Sequence, residues 1–369
     1  MSRNINQGAK IDTGEFQNTQ SNQGKILICD ICVKLPYMPH QDSNGDRMFT
    51  KKAIILYSNN RLRAIRIIPR RASQVGEIYI GKIKNITTHP DACFVEISGK
   101  QMCYLPMSEV KTPMILNRPG ATSIKSGDEL LIQITKDAQK NKLCSCSSQI
   151  VVSDDKEYTE LIQTASTRTC FSCIRSIPLR YTQLIGEIAA PDEYNEIVTD
   201  DSAIYDKITD ELNACEDSIH GIRLYHDDLL SLNRLYGLDS KVQEALEHRI
   251  WLKSGANLII EQTEAMTVID VNSAKKDAHR GNADETYMIN LEAAEEIALQ
   301  IRLRNLSGII IADFINMKEK ALEKELLTHF KEMVSSDMVK TKIIDITPLG
   351  LGEITRKKVY KPFIEQIMD

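Results

Sequence analysis

Residues 285–315 read ETYMINLEAAEEIALQIRLRNLSGIIIADFI, and this stretch decides the fold class. Leu291, Ala294, Ile297, Ala298 and Ile301 recur at three- and four-residue spacing, which puts them on one face of a long helix over Glu285–Asn305. Leu306-Ser307-Gly308 then breaks the period, with Gly308 at the expected C-terminal stop. The run Ile309-Ile310-Ile311-Ala312 is too short for a helix and apolar throughout, so it reads as a buried strand. A helix feeding a buried strand marks an α/β layer.

The same alternation extends outward. Asn257–Ile260 and Met266–Ile269 read as strands, and a further helix precedes a strand at Thr341–Ile346. Asp201–Asn213 and Ser240–Leu252 carry helical spacing, whereas Asp155–Ser176 shows no regular pattern. Between Gly76 and Ile150 the chain is a series of short strands at Ile78–Ile86, Ala92–Ile97, Met102–Leu105, Glu129–Lys136 and Leu143–Ile150, with Asp137–Lys142 as a hairpin loop. Five strands in this order predict a small barrel of the oligonucleotide-binding (OB) type. Lys52–Ile68 reads as a hairpin turning at Ser58-Asn59-Asn60. Residues 1 to about 24 are rich in Asn, Gln, Ser and Gly and read as a disordered tail. Residues 25–47 give no reading beyond an apolar, strand-like run at Ile26–Val33.

With 369 residues the chain is too long for one ordinary core. Its net charge of −5 argues against a generally basic nucleic-acid binder, so an RNA site must be a local patch. Two basic clusters qualify, Arg61, Arg63, Arg66, Arg70 and Arg71 in one stretch and Arg356, Lys357, Lys358 and Lys361 in another; a solvated charged face is the competing reading. No run of about 18 apolar residues exists, so no membrane span is expected. Nine cysteines, an odd number, and an N-terminus without an apolar signal segment point to free thiols and a cytoplasmic setting. Cys29-x-x-Cys32 and Cys170-x-x-Cys173 lack the setting of a zinc ribbon and read as buried structural cysteines.

Two carboxylates break the apolar pattern. Asp270 ends one strand and Asp313 ends the next, and strand ends line the functional crevice of open α/β sheets. Asn272, two residues after Asp270, projects to the same face. Such an all-oxygen set suits Mg²⁺ or Mn²⁺. From spacing alone a helix cap, or an ion pair with Arg280 or Arg302, explains each Asp slightly better, since aspartates at strand ends are common. In the barrel, Phe94 and Tyr104 are either core rings or exposed platforms on which bases stack.

The segment from Glu261 through Asp270, Asn272 and Ser273 resembles the catalytic segment of the ribonuclease E/G family. So do His279-Arg280-Gly281, the run Asn290–Ala298, Leu303–Ile315, and the closing Thr347-Pro348-Leu349-Gly350-Leu351-Gly352-Glu353-Ile354-Thr355-Arg356. These motifs occupy over 100 residues in order, and a weaker likeness reaches back to about Lys52. The resemblance implies a Mg²⁺-dependent (or Mn²⁺-dependent) endoribonuclease for single-stranded RNA, acting in RNA processing, rRNA processing included, or decay, and leaving 5′-phosphate and 3′-hydroxyl ends. It makes Asp270 and Asp313 the metal ligands and Asn272 the amide that orients them. Phe94, Tyr104 and Lys142 become RNA-gripping residues, with Tyr104 conservatively changed from the family's pattern. The alternative is a non-catalytic RNA-binding protein or scaffold derived from the family.

The implied fold is α/β and multidomain: RNase-H-like and DNase-I-like α/β domains with an inserted OB-fold barrel. The expected divisions are an N-terminal extension (1–47), a hairpin joining the RNase-H-like domain (48–75), the OB domain (76–150), a shortened 5′-sensor-like segment (151–186), the RNase-H-like domain (187–245) and the DNase-I-like catalytic domain (246–369). Three departures stand out. Gln163-Thr164-Ala165 occupies the place of the Arg-Thr-Ala stretch that holds a 5′-monophosphate, so the candidate 5′-end pocket of Gln163 and Thr164 lacks its arginine. The Cys-x-x-Cys zinc link that follows the closing motif is not found before Asp369; no structural zinc is expected, and any homodimer must form without it. Residues 1–47 do not resemble the family's usual start.

Overall fold

The structure, a computed structural model, describes residues 24–35, 47–69, 73–138, 142–214, 220–273, 283–317 and 319–368. The expected disordered tail, Arg70, Arg71 and the motif His279-Arg280-Gly281 lie outside them. The chain divides into two compact units, one formed by residues 1–68 with 181–369 and the other by residues 69–180.

The first unit begins with an antiparallel meander of Gly24–Leu35 (β1), Arg47–Ser58 (β2) and Arg61–Ile67 (β3). The β2–β3 turn is the two-residue Asn59-Asn60, both at positive φ, a conformation that asparagine tolerates and that matches the twist of a tight hairpin. β1 corrects the sequence reading, which placed these residues in an N-terminal extension. It is a central strand, and Ile26–Cys29 are buried on both of its faces, so this part is apolar without alternation, while Asp30 and Lys34 are exposed.

Residues 69–180 form the second unit. Ile78–Thr88 (β4), Asp91–Glu96 (β5), Met102–Pro106 (β6), Glu129–Lys136 (β7) and Cys144–Ser147 (β8) pair in the ring β4-β5-β6-β8-β7-β4, with β6 and β8 parallel. This is a closed five-stranded, OB-like barrel, filled by residues such as Ile83, Val95, Leu105, Ile132 and Cys146. Asp155–Thr167 (α1) was not foreseen, because only Leu161 and Ala165 of this Thr- and Ser-rich helix are buried. Asp154 caps it by accepting from the Glu157 amide, and Cys173–Arg175 (β9) adds to β4. Cys103 and Cys144, register partners on β6 and β8, are joined as a disulfide, which corrects the expectation of free thiols throughout. Cys173 is exposed, and is not the buried residue expected from its motif.

The chain then returns to the first unit. Tyr181–Gly186 (α2), Tyr194–Thr199 (β10), Ser202–Asn213 (α3), Gly221–Leu224 (β11), Leu232–Tyr236 (α4) and Leu238–Leu246 (α5) follow. β10 and β11 extend the meander in parallel, giving the order β11-β10-β1-β2-β3. The second sheet comprises Arg249–Trp251 (β12), Asn257–Gln262 (β13), Met266–Asn272 (β14), Gly308–Asp313 (β15), Thr341–Ile346 (β16) and Leu351–Arg356 (β17). Its order is β12-β13-β14-β15-β17-β16. Ala283–Leu303 (α6) and Lys320–Met333 (α7) cover one face, burying Ile269, Ile310, Ala312, Ile354, Ala294, Ile297, Leu326 and Phe330 together; Phe363–Met368 (α8) closes the chain. The predicted helix over Ser240–Leu252 stops at Leu246, because Ile250 is claimed by pairing with β13.

α6 ends at Leu303, two residues before the predicted Asn305. Asn305, at φ 49°, takes the left-handed position, with Leu306 N–H donating to the Ile301 carbonyl and Asn305 N–H to that of Arg302. This is a Schellman stop with asparagine in the glycine role, and Gly308 (φ 86°) instead starts β15.

Candidate active site

The register of the second sheet brings the two aspartates together. β14 and β15 run parallel, with Asp270 directly opposite Asp313, so their Cα atoms sit about one strand spacing, ~4.8 Å, apart. Thr267, Ile269 and Val271 point into the helix-covered core, and the alternate residues Val268, Asp270 and Asn272 face away from it. The same alternation sends Ile310 and Ala312 inward and leaves Asp313 exposed. Asn272 Nδ2 donates to Asp270 Oδ2 at 2.7 Å, which fixes the carboxylate plane and leaves its other oxygen free of that bond.

Neither aspartate has a cationic partner among the described residues. Arg302, one partner considered from sequence, is paired with Glu193 instead, and Arg280 lies outside the described residues. Two adjacent carboxylates repel each other and favour a cation between them. A second carboxylate group offers a contrast. Asp30, midway along β1, and Asp201, which caps α3 just after β10, already share the Lys52 ammonium. Burial alone would lower the Lys52 pKa, but Asp201 and Asp30 outweigh it and raise it, so those carboxylates already have a cation. Among the described residues no three His, Cys, Asp or Glu side chains converge in metal-holding geometry. The Asp270–Asp313 pair therefore offers two carboxylates, which suits a hard ion that keeps water ligands and accepts phosphate oxygen.

Supports for this pair went unnoticed in the sequence. The buried Asn290 on α6 clamps the backbone just past Asp313: its Nδ2 donates to the Ile315 carbonyl at 2.7 Å and its Oδ1 accepts from the Ile315 amide at 3.0 Å. Phe314 packs edge-on against Phe330, 5.9 Å between centroids, and lies over Gly352, where a Cβ would come within 2.9 Å of the ring. Asn290 and Gly352 both lie in quoted motifs, but their roles depend on contacts between distant segments.

In the barrel unit, Phe94 and Tyr104 are register partners on β5 and β6, with ring centroids 6.2 Å apart in an edge-to-face pair. Their flanking residues Cys93, Val95, Cys103 and Leu105 are fully buried, so the rings stand on the outer wall of the barrel and are not core. The register continues from Tyr104 to Ser145 and Lys136, which places the exposed Lys136 in the same row; sequence reading missed it because that row joins four strands. Lys142 is exposed just before β8. Gln163 is exposed on α1, while the Thr164 hydroxyl is engaged by its own helix, donating to the Glu160 carbonyl at 2.8 Å. Three members of the basic clusters are held in ion pairs within the fold. Arg61 pairs with Glu296, Arg66 with Glu187, and Arg356 is buried against Asp337.

Comparison with known proteins adds to this geometry. Ribonuclease G of Salmonella typhimurium (strain SL1344) is 26% identical over 359 residues, which cover 78% of this chain and 73% of that protein. Ribonuclease G of Escherichia coli (strain K12) is 42% identical over 134 residues, 36% of this chain and 27% of that protein. Ribonuclease E of Synechocystis sp. (strain ATCC 27184 / PCC 6803 / Kazusa) is 40% identical over 170 residues, 45% of this chain and 25% of that protein. The aligned stretch thus spans most of the first relative and about a quarter of the other two. The model of the Ribonuclease E/G family matches residues 130–359, a span that holds both aspartates and more than half of the chain, and the chain belongs to that family.

Proposed function

We propose that this chain is an endoribonuclease that cuts single-stranded RNA at Asp270 and Asp313 with Mg²⁺, or Mn²⁺, held between them. The observation that carries this reading is the parallel register that sets two carboxylates side by side without a cationic partner among the described residues, on the uncovered face of a sheet. Family membership supports the same class of reaction. When bound, the divalent ion supplies Lewis-acid polarisation of the scissile phosphate and a more acidic water. The chain's part is to bind and orient. Asp270 and Asp313 would hold the ion, Asn272 fixes the rotation of Asp270, and Asn290 with Phe314 fixes the backbone that carries Asp313. Phe94 and Tyr104 hold unpaired bases on the barrel wall, with Lys142 and Lys136 against the phosphates. We assign the five-stranded sheet to an RNase-H-like domain and the six-stranded sheet to a DNase-I-like domain, in a cytoplasmic enzyme of RNA processing or decay. No helix among the described residues is long and apolar enough to cross a membrane. The direct test is incubation of purified protein with labelled single-stranded RNA. Cleavage in Mg²⁺ that stops in EDTA is expected, and metal-independent cleavage, or none, overturns the assignment.

Phe94→Ala should weaken RNA binding by about one stacking contact, roughly 1–3 kcal/mol, without unfolding the barrel, since the ring is outside the core. Lys142→Ala should flatten the salt dependence of binding by about one phosphate contact. Fluorescence anisotropy across a salt series reads both, and unchanged affinity in Phe94→Ala removes the stacking role.

The 5′ end should matter little. Gln163 carries no charge to balance a terminal phosphate, and Thr164 spends its hydroxyl on its own helix. One RNA prepared with a 5′-monophosphate, triphosphate or hydroxyl should be cut at similar rates. A tenfold preference for monophosphate, about 1.4 kcal/mol, would show that a sensor operates elsewhere, with the exposed Arg168 the first residue to replace.

A further inference from the structure

Trp251 is the chain's single tryptophan, and it is 65% exposed on the edge strand β12. An indole left in water forgoes much of its burial energy, so its position calls for a partner. The sheet register gives that position. Trp251 lies opposite Asn257, which lies opposite Asn272; one step along, Arg249 lies opposite Ile259, Asp270 and Asp313 in turn. Cross-strand partners project to one face. Trp251 and Arg249 therefore stand on the same sheet face as the aspartate pair, away from α6 and α7, with Arg249 two strand spacings, about 10 Å, from Asp270 and Trp251 the same distance from Asn272. The Arg249 guanidinium sits 5.7 Å from the Trp251 ring centroid.

We propose that Trp251 and Arg249 form a nucleotide subsite beside the cleavage centre, with Trp251 stacking on one unpaired base of the substrate and Arg249 binding the adjoining phosphate. This rests on the reading of the Asp270–Asp313 face as an RNA-cleaving site. The chemistry fits each part. An indole face stacks on any base, and a guanidinium both pairs with phosphate and packs on the aromatic ring. The separation from Asp270 is short enough for one strand to reach both places within a few nucleotides. Arg249 supplies positive charge on a sheet face where Asp270, Asp313, Glu261 and Glu353 are all acidic, so the phosphates of a bound strand meet an attractive contact on that side.

Because Trp251 is the only tryptophan, its emission reports on this subsite alone. The full chain is titrated in EDTA with a fluorescently labelled single-stranded RNA, reading RNA anisotropy and tryptophan emission in parallel. Saturable quenching that tracks the anisotropy is expected, with Trp251→Ala binding roughly tenfold more weakly and Trp251→Phe restoring much of the loss. Arg249→Gln should lower the salt slope by about one. Anisotropy that rises while emission stays constant overturns the subsite and leaves the RNA-cleaving reading intact. If the RNA does not bind at all, the reading beneath the proposal falls with it. Emission that shifts with protein concentration and ignores RNA places Trp251 against a second copy of the chain and also overturns the proposal. Thermal melts of Trp251→Ala should match the wild type, as the side chain is exposed.

Discussion

Asp270→Asn and Asp313→Asn should each reduce cleavage of single-stranded RNA by roughly 1,000-fold or more while leaving RNA affinity nearly unchanged. Each replacement keeps the shape and removes one of the two charges that hold the cation. A transition-state contribution of about 4 kcal/mol corresponds to that loss. Two features make the experiment clean. Asp313 is exposed and Asp270 half-buried, and neither supports an ion pair among the described residues, so the fold does not depend on their charge. Removing one of two adjacent like charges relieves repulsion, so stability should hold or rise slightly. Asn272→Ala should act more mildly, because Asp270 keeps its charge and loses only the 2.7 Å bond that orients it. Single-turnover rates in Mg²⁺, with affinity measured separately in EDTA, separate chemistry from binding. Normal turnover in either aspartate variant would falsify the site. A cation-binding titration of the wild type and both variants gives an independent reading, with weakened Mn²⁺ affinity expected in each.

How much of this could be read before the fold was known follows from where each signal resides. Asp270 and Asp313 were readable because a charge at the end of an apolar strand violates a local pattern. That they form one set was also read, but the register that puts them directly opposite one another was not, since it depends on β14 and β15 being parallel neighbours across α6. Phe94 and Tyr104 stood undecided between core and surface until register put both on the outer wall. β1 was legible only as the apolar, strand-like run Ile26–Val33, because its central place in the sheet depends on partners distant in sequence, and β12 escaped because three residues hold no periodicity of their own. Trp251 has no local mark of function, and only its place on the sheet face connects it with Asp270. Arg356 was misread for the opposite reason. Its neighbours Lys357, Lys358 and Lys361 made it look like part of a basic surface, yet it is the one member of that cluster withdrawn from solvent.

Arg356→Met should destabilise the first unit by about 3–5 kcal/mol, because it leaves the buried Asp337 charge uncompensated. The guanidinium is 3% exposed and its partner 8%. Nε and Nη2 bind the two Asp337 oxygens at 2.6 and 3.1 Å, and Nη1 donates to Asn305 Oδ1 at 2.6 Å and to the Leu306 carbonyl at 3.0 Å. One side chain thus joins β17, the turn after α7, and the stop of α6 from which β15 departs toward Asp313. Burial pushes the Asp337 carboxyl up, but Arg356 and further hydrogen bonds, including one from Thr341, outweigh it and hold the pKa below the usual carboxylate range. For an acid depressed in the folded state, the stabilisation is complete above its unfolded pKa, near 3.9, and is lost as pH falls through the folded value. In Arg356→Met burial acts without its counterweight, so protonation relieves the variant first. The stability gap between the two proteins should therefore be widest at neutral pH and narrow as the pH approaches 4. Urea unfolding of both proteins across this range measures the gap. A loss below 1 kcal/mol at pH 7, or a gap independent of pH, would mean that water already reaches Asp337. Asp337→Leu combined with Arg356→Met should recover most of the lost stability, since removing both charges abolishes the desolvation cost that the single variant leaves exposed.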